Sequence, residues 1–430
     1  MLSALRPGPR QGVVLRLGSA QTLAWASSFY LPALLARPIG AELGLPTSAL
    51  FAALSGALLI SAAVSPLAGR WIDRHGGRTV LLCSSALLSA GLLTLAFCQG
   101  LVGLVMAWAL LGLGMGLGLY DAAFATLVRL FDSQSRQLIT GITLVGGFAS
   151  TVGWPLTAWM ESQWGWRGAC MGWALLHVLL GAPLNASLPK VFKPASGPAG
   201  VGSGPLSAAA ISPATDPDLA PQDAAAVAAA EPGPPAPIRA QAASLAPAQR
   251  RRLMGLLALI FTLMGFVSAS VATHLPGILQ AAGASLVVAV GLAALAGPSQ
   301  VVARMLEWGA LQRLNPLWTA RAASMGHPLA AIVMLALGAP AALLFVVLHG
   351  LGNGLLTIVR GTLPLALFGA QGYGSRQGWI ALPGRVVGAL SPWLFGLALE
   401  RWGVGALWLT GVSALLALAL IWRLPAPESG

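Results

Sequence analysis

Twelve stretches of about twenty apolar residues follow one another along this chain, and a soluble core has no use for them. A helix needs about 20 apolar residues to cross the roughly 30 Å hydrocarbon layer of a bilayer. Inside lipid every backbone amide must be satisfied within the structure, so only helices or closed barrels span it. The stretches fall near 14–36, 48–68, 79–98, 101–125, 138–160 and 167–188, then 253–279, 284–303, 317–338, 341–362, 370–395 and 405–423. The least regular is 370–395, which Arg376, Pro383 and Arg385 interrupt. Only 8% of residues are charged, against about 25% in an ordinary soluble domain. The expected fold is an all-α membrane protein with twelve transmembrane helices. The first run is too long for a signal-peptide core of about 7–15 residues, and it reads as an uncleaved first span.

Between the sixth and seventh runs the composition changes. "KPASGPAGVGSGPLSAAAISPATDPDLAPQDAAAVAAAEPGPPAP" is Pro, Ala, Gly and Ser with scattered acids. Such a segment cannot bury a core and reads as a disordered linker. The expected domains are therefore 1–189, a six-helix half; 190–250, the linker; and 251–430, a second six-helix half.

The net charge of +12 belongs to topology rather than to nucleic-acid binding. Basic residues crowd alternate connections, in the sets Arg6/Arg10/Arg16, Arg70/Arg74/Arg78, Arg129/Arg136, the linker, Arg304/Arg313/Arg321, Arg376/Arg385 and Arg423. The other connections hold only Arg37, Arg167 and Arg401. Short cytoplasmic loops concentrate Lys and Arg, so both termini and the linker are expected in the cytoplasm of a multi-pass plasma-membrane protein. The Arg and Ala bias fits a GC-rich bacterial gene, hence an inner membrane. Cys83, Cys98 and Cys170 imply no disulfide framework. Cys83 and Cys98 lie 15 positions apart on one helix, about 22 Å, too far to share a ligand. No metal or cofactor is expected.

The chain also repeats itself. "GLGMGL" begins at Gly112 and "GLGNGL" at Gly350, 238 positions later. Pro155 of "WPL" and Pro392 of "SPWL" are 237 apart, and "ESQWG" and "LERWG" end at Gly165 and Gly403, again 238 apart. Pro32 of "YLPALL" and Pro276 of "HLPGIL" are 244 apart. Halves with an even span count start on the same side of the membrane. Parallel repeats of this kind place a substrate site near the midplane between them.

One connection carries a resemblance. "GRWIDRHGGR" stands between spans 2 and 3, and its Gly69, Asp73, Arg74, Gly76 and Arg78 resemble the signature of the major facilitator superfamily. The length, the 6+6 repeat and the long central linker resemble that family too. The resemblance implies alternating access by two rocking halves, with this loop steadying the outward-open state and spans 1, 4, 7 and 10 lining the cavity. "GPSQ" and "GNGLLTIVRGTLPLALFG" resemble a bacterial subgroup with exporters of trivalent arsenicals. Many proton-coupled relatives carry an Arg in span 4 where this chain has Trp108. Gly153-Trp154-Pro155 loosely matches the span 5 pattern of exporters, which favours export.

Charges within the spans draw attention because each costs about 2.5–3.5 kcal/mol even on the gentlest insertion scale. Asp121 stands on span 4. On span 10, Asn353, Thr357 and Arg360 are spaced i, i+4, i+7, which is one helix face. The repeat offset carries Asp121 to 359, next to Arg360. Asp121 and Arg360 are therefore expected to act in proton coupling or as a cytoplasmic gate, with Arg360 drawing an anion or pairing with Asp121. Gln21, Trp25 and Ser28 share a face of span 1, and Tyr30 is the repeat partner of His274, each just before Leu-Pro. The expected cavity residues are Gln21, Trp25, Tyr30, His274, Asn353 and Thr357.

No G-x-x-x-x-G-K-[ST] loop and no catalytic triad spacing is present. The expected function is secondary transport of a small solute by a monomer, driven by protons, rather than enzymatic chemistry. Uptake of a small organic anion such as a monocarboxylate, or a non-transporting sensor on the same scaffold, are the alternatives.

Overall fold

The computed structural model describes residues 9–131, 135–189, 246–309, 316–368 and 373–424. The expected linker lies outside these except at its end, where Pro247–Ala281 already forms the seventh span. Among the described residues every regular element is helical.

Span 1 comprises Pro9–Ser27 and Pro32–Leu43, span 2 Thr47–His75 and span 3 Gly77–Ala96. Span 4 is Leu101–Gly118 continued by Tyr120–Phe131, and span 5 is Ser135–Gly146 continued by the start of Ala149–Leu176. Span 6 is the rest of that helix, ending at Ala182–Ala186. In the second half, span 7 is Pro247–Ala281, span 8 Leu286–Ala293 with Ala296–Gly309, and span 9 Pro316–Leu337. Span 10 is Ala342–Phe368, span 11 Tyr373–Trp402 and span 12 Leu407–Trp422.

Nine helical runs among the described residues are long and apolar enough to cross a bilayer, and two of them cover 46 and 44 residues. At 1.5 Å per residue each of those two is about twice the bilayer thickness. They double back at Gly165 (φ 67°) and Gly403 (φ 55°), where a side chain would be strained. Span 1 stands outside the nine. It is broken after Ser27 and carries Arg16, Gln21 and Thr22 in its first helix, and its packing against spans 5 and 6 places it in the bundle.

The segment with the family signature is helical as far as His75. The turn rests on Gly76 alone, at φ 85°. Arg70 and Arg74 are exposed and Arg78 is partly buried, while the side chain of Asp73 lies outside the described residues. Gly69 has open space around it.

The repeat read from the sequence is also a repeat of contacts. Gly112 and Gly116 press span 4 onto the backbone of span 2 at Ala57 and Ser61. Gly350 and Gly354 press span 10 onto span 8 at Ala296 and Gln300. On the opposite face Gly114 meets Leu88 of span 3, and Gly352 meets Ala323 and His327 of span 9. Small residues permit such close backbone approach in membranes. A Cβ at Gly112 would lie 2.7 Å from the Ala57 carbonyl oxygen, and one at Gly354 2.6 Å from that of Gln300. Gly112→Val and Gly354→Val are each expected to cost about 1–3 kcal/mol through overpacking. Their unfolding temperatures in detergent should fall, while Gly69→Ala should leave it unchanged.

Candidate functional site

The site is built around a break in span 4. Its first helix ends at Gly118, Leu119 is extended (φ −77°, ψ −169°), and the second helix begins at Tyr120. A broken helix leaves carbonyls without partners. Gln21, 1% exposed, meets one of them by donating from Nε2 to the Gly118 oxygen at 2.6 Å. Gln21 thus holds the break open from span 1.

The break turns Tyr120 toward spans 1 and 5. Its ring lies 5.2 Å from Trp25, and its hydroxyl rests over Gly146, where a Cβ would come within 2.5 Å. Trp25 also faces Tyr30 at 6.5 Å, and Tyr30 meets Trp154 edge-on at 5.3 Å. The Trp154 indole donates to the Tyr30 carbonyl at 3.2 Å. Trp25 Nε1 is buried without a hydrogen-bond partner.

From span 8 of the other half Arg304 reaches span 5 one turn from Gly146, on which Tyr120 rests. Its Nη1 donates to the Thr143 carbonyl at 3.1 Å, and its guanidinium lies within electrostatic reach of the phenols of Tyr30 and Tyr120. Its Nε is buried without a partner. Among the described residues it forms no ion pair; the one found joins Arg167 to Glu42 at 2.9 Å. By sequence Arg304 counts among the loop charges, because its apolar run stops at 303. The helix continues to Gly309, so Arg304 is a membrane residue. The signal for this is the "VVARML" that surrounds it.

The second half contributes the expected face of span 10. Ser268 of span 7 donates from its hydroxyl to Asn353 Oδ1. Thr357 is exposed and Arg360 is half-buried, with one guanidinium nitrogen close to Gly265 of span 7. Asp121 stands in the first turn after the span 4 break and is exposed. It is not brought within ion-pair distance of Arg360.

His274 is occupied elsewhere. Its Nε2 donates to the Pro392 carbonyl of span 11 at 2.8 Å, and its ring packs at 3.8 Å on Phe51 of span 2. It belongs to a seam that closes the two halves on the side away from the termini. There Arg37 donates to Gln280 at 3.0 Å, the Ser48 amide donates to Glu400, and the Trp393 amide donates to Ser55 at 3.2 Å. Deeper, Thr151 donates to the Ala294 carbonyl at 2.8 Å.

A model of the Major Facilitator Superfamily matches residues 17–348. The chain belongs to the major facilitator superfamily. Membership makes it a multi-pass membrane protein of a transporter family. Within the superfamily it is 32% identical over 133 residues to multidrug resistance protein fnx1 of Schizosaccharomyces pombe, covering 30% of this chain and 24% of that one. It is 26% identical over 142 residues to monocarboxylate transporter 1 of Rattus norvegicus, covering 33% and 28%. The chain thus aligns with about a quarter of the length of these curated relatives. A crystal structure of the nucleoside transporter NupG superposes with a TM-score of 0.68 at 12% identity, over 95% of this chain and 98% of that one. At that identity the superposition speaks for the fold.

Proposed function

We propose that this protein is a proton-driven secondary transporter of a small organic anion. Arg304 carries the reading. A cation held between the halves, with an unpartnered Nε and no carboxylate among the described residues to neutralise it, is expensive in a membrane. The Trp25 indole N–H beside the same phenols is a second unpartnered donor. A carboxylate would satisfy both, and the aromatic wall would cover its apolar part. The relative named monocarboxylate transporter 1 supports the choice of an anion, and Gly153-Trp154-Pro155 supports export.

The seam is closed on the side away from the termini, while Asp121 and Thr357 stand exposed toward the terminal side. The basic connections support a cytoplasmic position for that side and a bacterial inner membrane for the whole. Asp121 and Arg360 serve as the gate there, approaching when the halves rock and the seam opens. The transporter works as a monomer, since both halves of the site come from one chain.

Proteoliposomes loaded in turn with pyruvate, L-lactate and benzoate, under an imposed pH gradient, test this. Saturable flux of at least one anion, accelerated by the gradient and without chemical change, is expected. Flux of a neutral or cationic solute with none of any anion would overturn it. The seam can be probed separately. In a background without Cys83, Cys98 and Cys170, the pair Phe51→Ala and Glu400→Gln is expected to raise the reaction of an impermeant thiol reagent, added from the seam side, with a Tyr30→Cys reporter.

A further inference from the structure

Spans 9 and 10 bury a pair of histidines that neither the anion site nor the gate uses. His327 and His349 are each 3% exposed. Their Nδ1 atoms stand 3.0 Å apart and their rings meet edge-on with centroids at 4.8 Å. At this distance two neutral imidazoles share one Nδ1 proton, one ring donating and the other accepting. His327 Nε2 is buried without a partner.

The internal repeat fills the same place without them in the first half. Gly114 packs on Leu88 where Gly352 packs on His327, and the offset of 238 carries His349 back to Leu111. Leu88 and Leu111 are 1% and 0% exposed, in the apolar core of the first half. The same position in the same packing is filled by leucines in one half and by two ionisable rings in the other. An orphaned nitrogen in such a place costs about 1–3 kcal/mol, which leucine avoids.

We propose that the His327–His349 pair is a proton-binding site, the place where the driving proton is loaded in the second half. The proposal rests on the proton-driven reading above. With His327 as the donor ring, its free lone pair is at the orphaned Nε2. A proton added there turns His327 into an imidazolium, and its Nδ1–H bond to His349 becomes charge-assisted. No other bond is made or broken, and release reverses the step.

The surroundings tie this proton to the cavity. Span 8 packs on span 10 and carries Arg304 and Glu307; span 7 carries Arg250, Arg251, Arg252 and His274; span 11 carries Tyr373, Arg376, Arg385, Glu400 and Arg401; span 9 itself carries Arg321; and span 12 has no titratable group between Leu407 and Trp422. Arg360 stands 11 positions after His349 on span 10, about 16 Å along the helix. An anion brought to that end of span 10 changes the field at the pair, which links proton loading to the cavity.

The test uses the full chain in lipid bilayers. Protein labelled with 15N-histidine is titrated by solid-state NMR. The comparison is the His327→Leu/His349→Leu double variant, which places in the second half the leucines that Leu88 and Leu111 supply in the first. Two coupled rings taking up a single proton between them, absent from the variant, are expected. Two rings that titrate independently, or that take up no proton over the range where imidazoles titrate, would overturn the site. In proteoliposomes with labelled benzoate and L-lactate, the variant is expected to lose gradient-driven accumulation while keeping gradient-free exchange. Wild-type accumulation by the variant would also overturn it. If the wild type exchanges the probe but ignores the gradient, the proton-driven reading fails instead, and the NMR titration alone decides the site.

Discussion

Arg304→Ala is expected to abolish anion transport while leaving the protein folded. The guanidinium crosses from span 8 to span 5, with Nη1 on the Thr143 carbonyl and Nε unpartnered. A hydrogen bond to a charged group contributes about 1.5–3 kcal/mol. Losing two to a substrate carboxylate costs roughly 3 kcal/mol or more, on the order of a hundredfold in affinity. Folding should survive, because no described carboxylate depends on Arg304 and the variant removes a cation from the membrane. Arg304→Lys keeps the charge but loses the planar fork, so a smaller loss is expected. Binding of labelled benzoate to purified protein, alongside its unfolding temperature, reads both effects. Unchanged binding by a folded Arg304→Ala variant would remove Arg304 from the site.

The second large effect concerns Asp121 and Arg360. Asp121→Arg sets two cations against each other on the side that must close, and Arg360→Asp sets two carboxylates there. Each is expected to stop turnover. The double variant Asp121→Arg/Arg360→Asp restores the attraction with the charges exchanged, and partial recovery of exchange is expected. Residues that meet show coupling of about 0.5–3 kcal/mol in a double-mutant cycle. A double variant as inactive as either single one would show that the two residues never meet in the cycle. The structure holds them apart with the opposite side closed, as a pair that forms only in the other state requires.

Not all of this is legible in the order of the residues. The helix break that presents Tyr120 depends on Gln21, 97 positions before Gly118 in the chain, and nothing local links them. The expectation of His274 as a cavity residue rests on its repeat partner Tyr30, which does line the aromatic wall. His274 instead finds Phe51 and Pro392. Arg304 is hidden by the convention that a charge ends a span. His327 and His349 are 22 positions apart on different helices, so in the sequence each stands isolated.

The membrane class and the two six-span halves can be read from the order of the residues alone. Those follow from the length of apolar runs and from a fixed repeat offset, which are properties of position along the chain. Which polar groups meet, and which are left without partners, emerges only when the helices pack. In a bilayer every such group must find another from a distant helix or bear the cost. That outcome depends on how twelve helices are rotated and paired, and the apolar pattern of each helix leaves its rotation free.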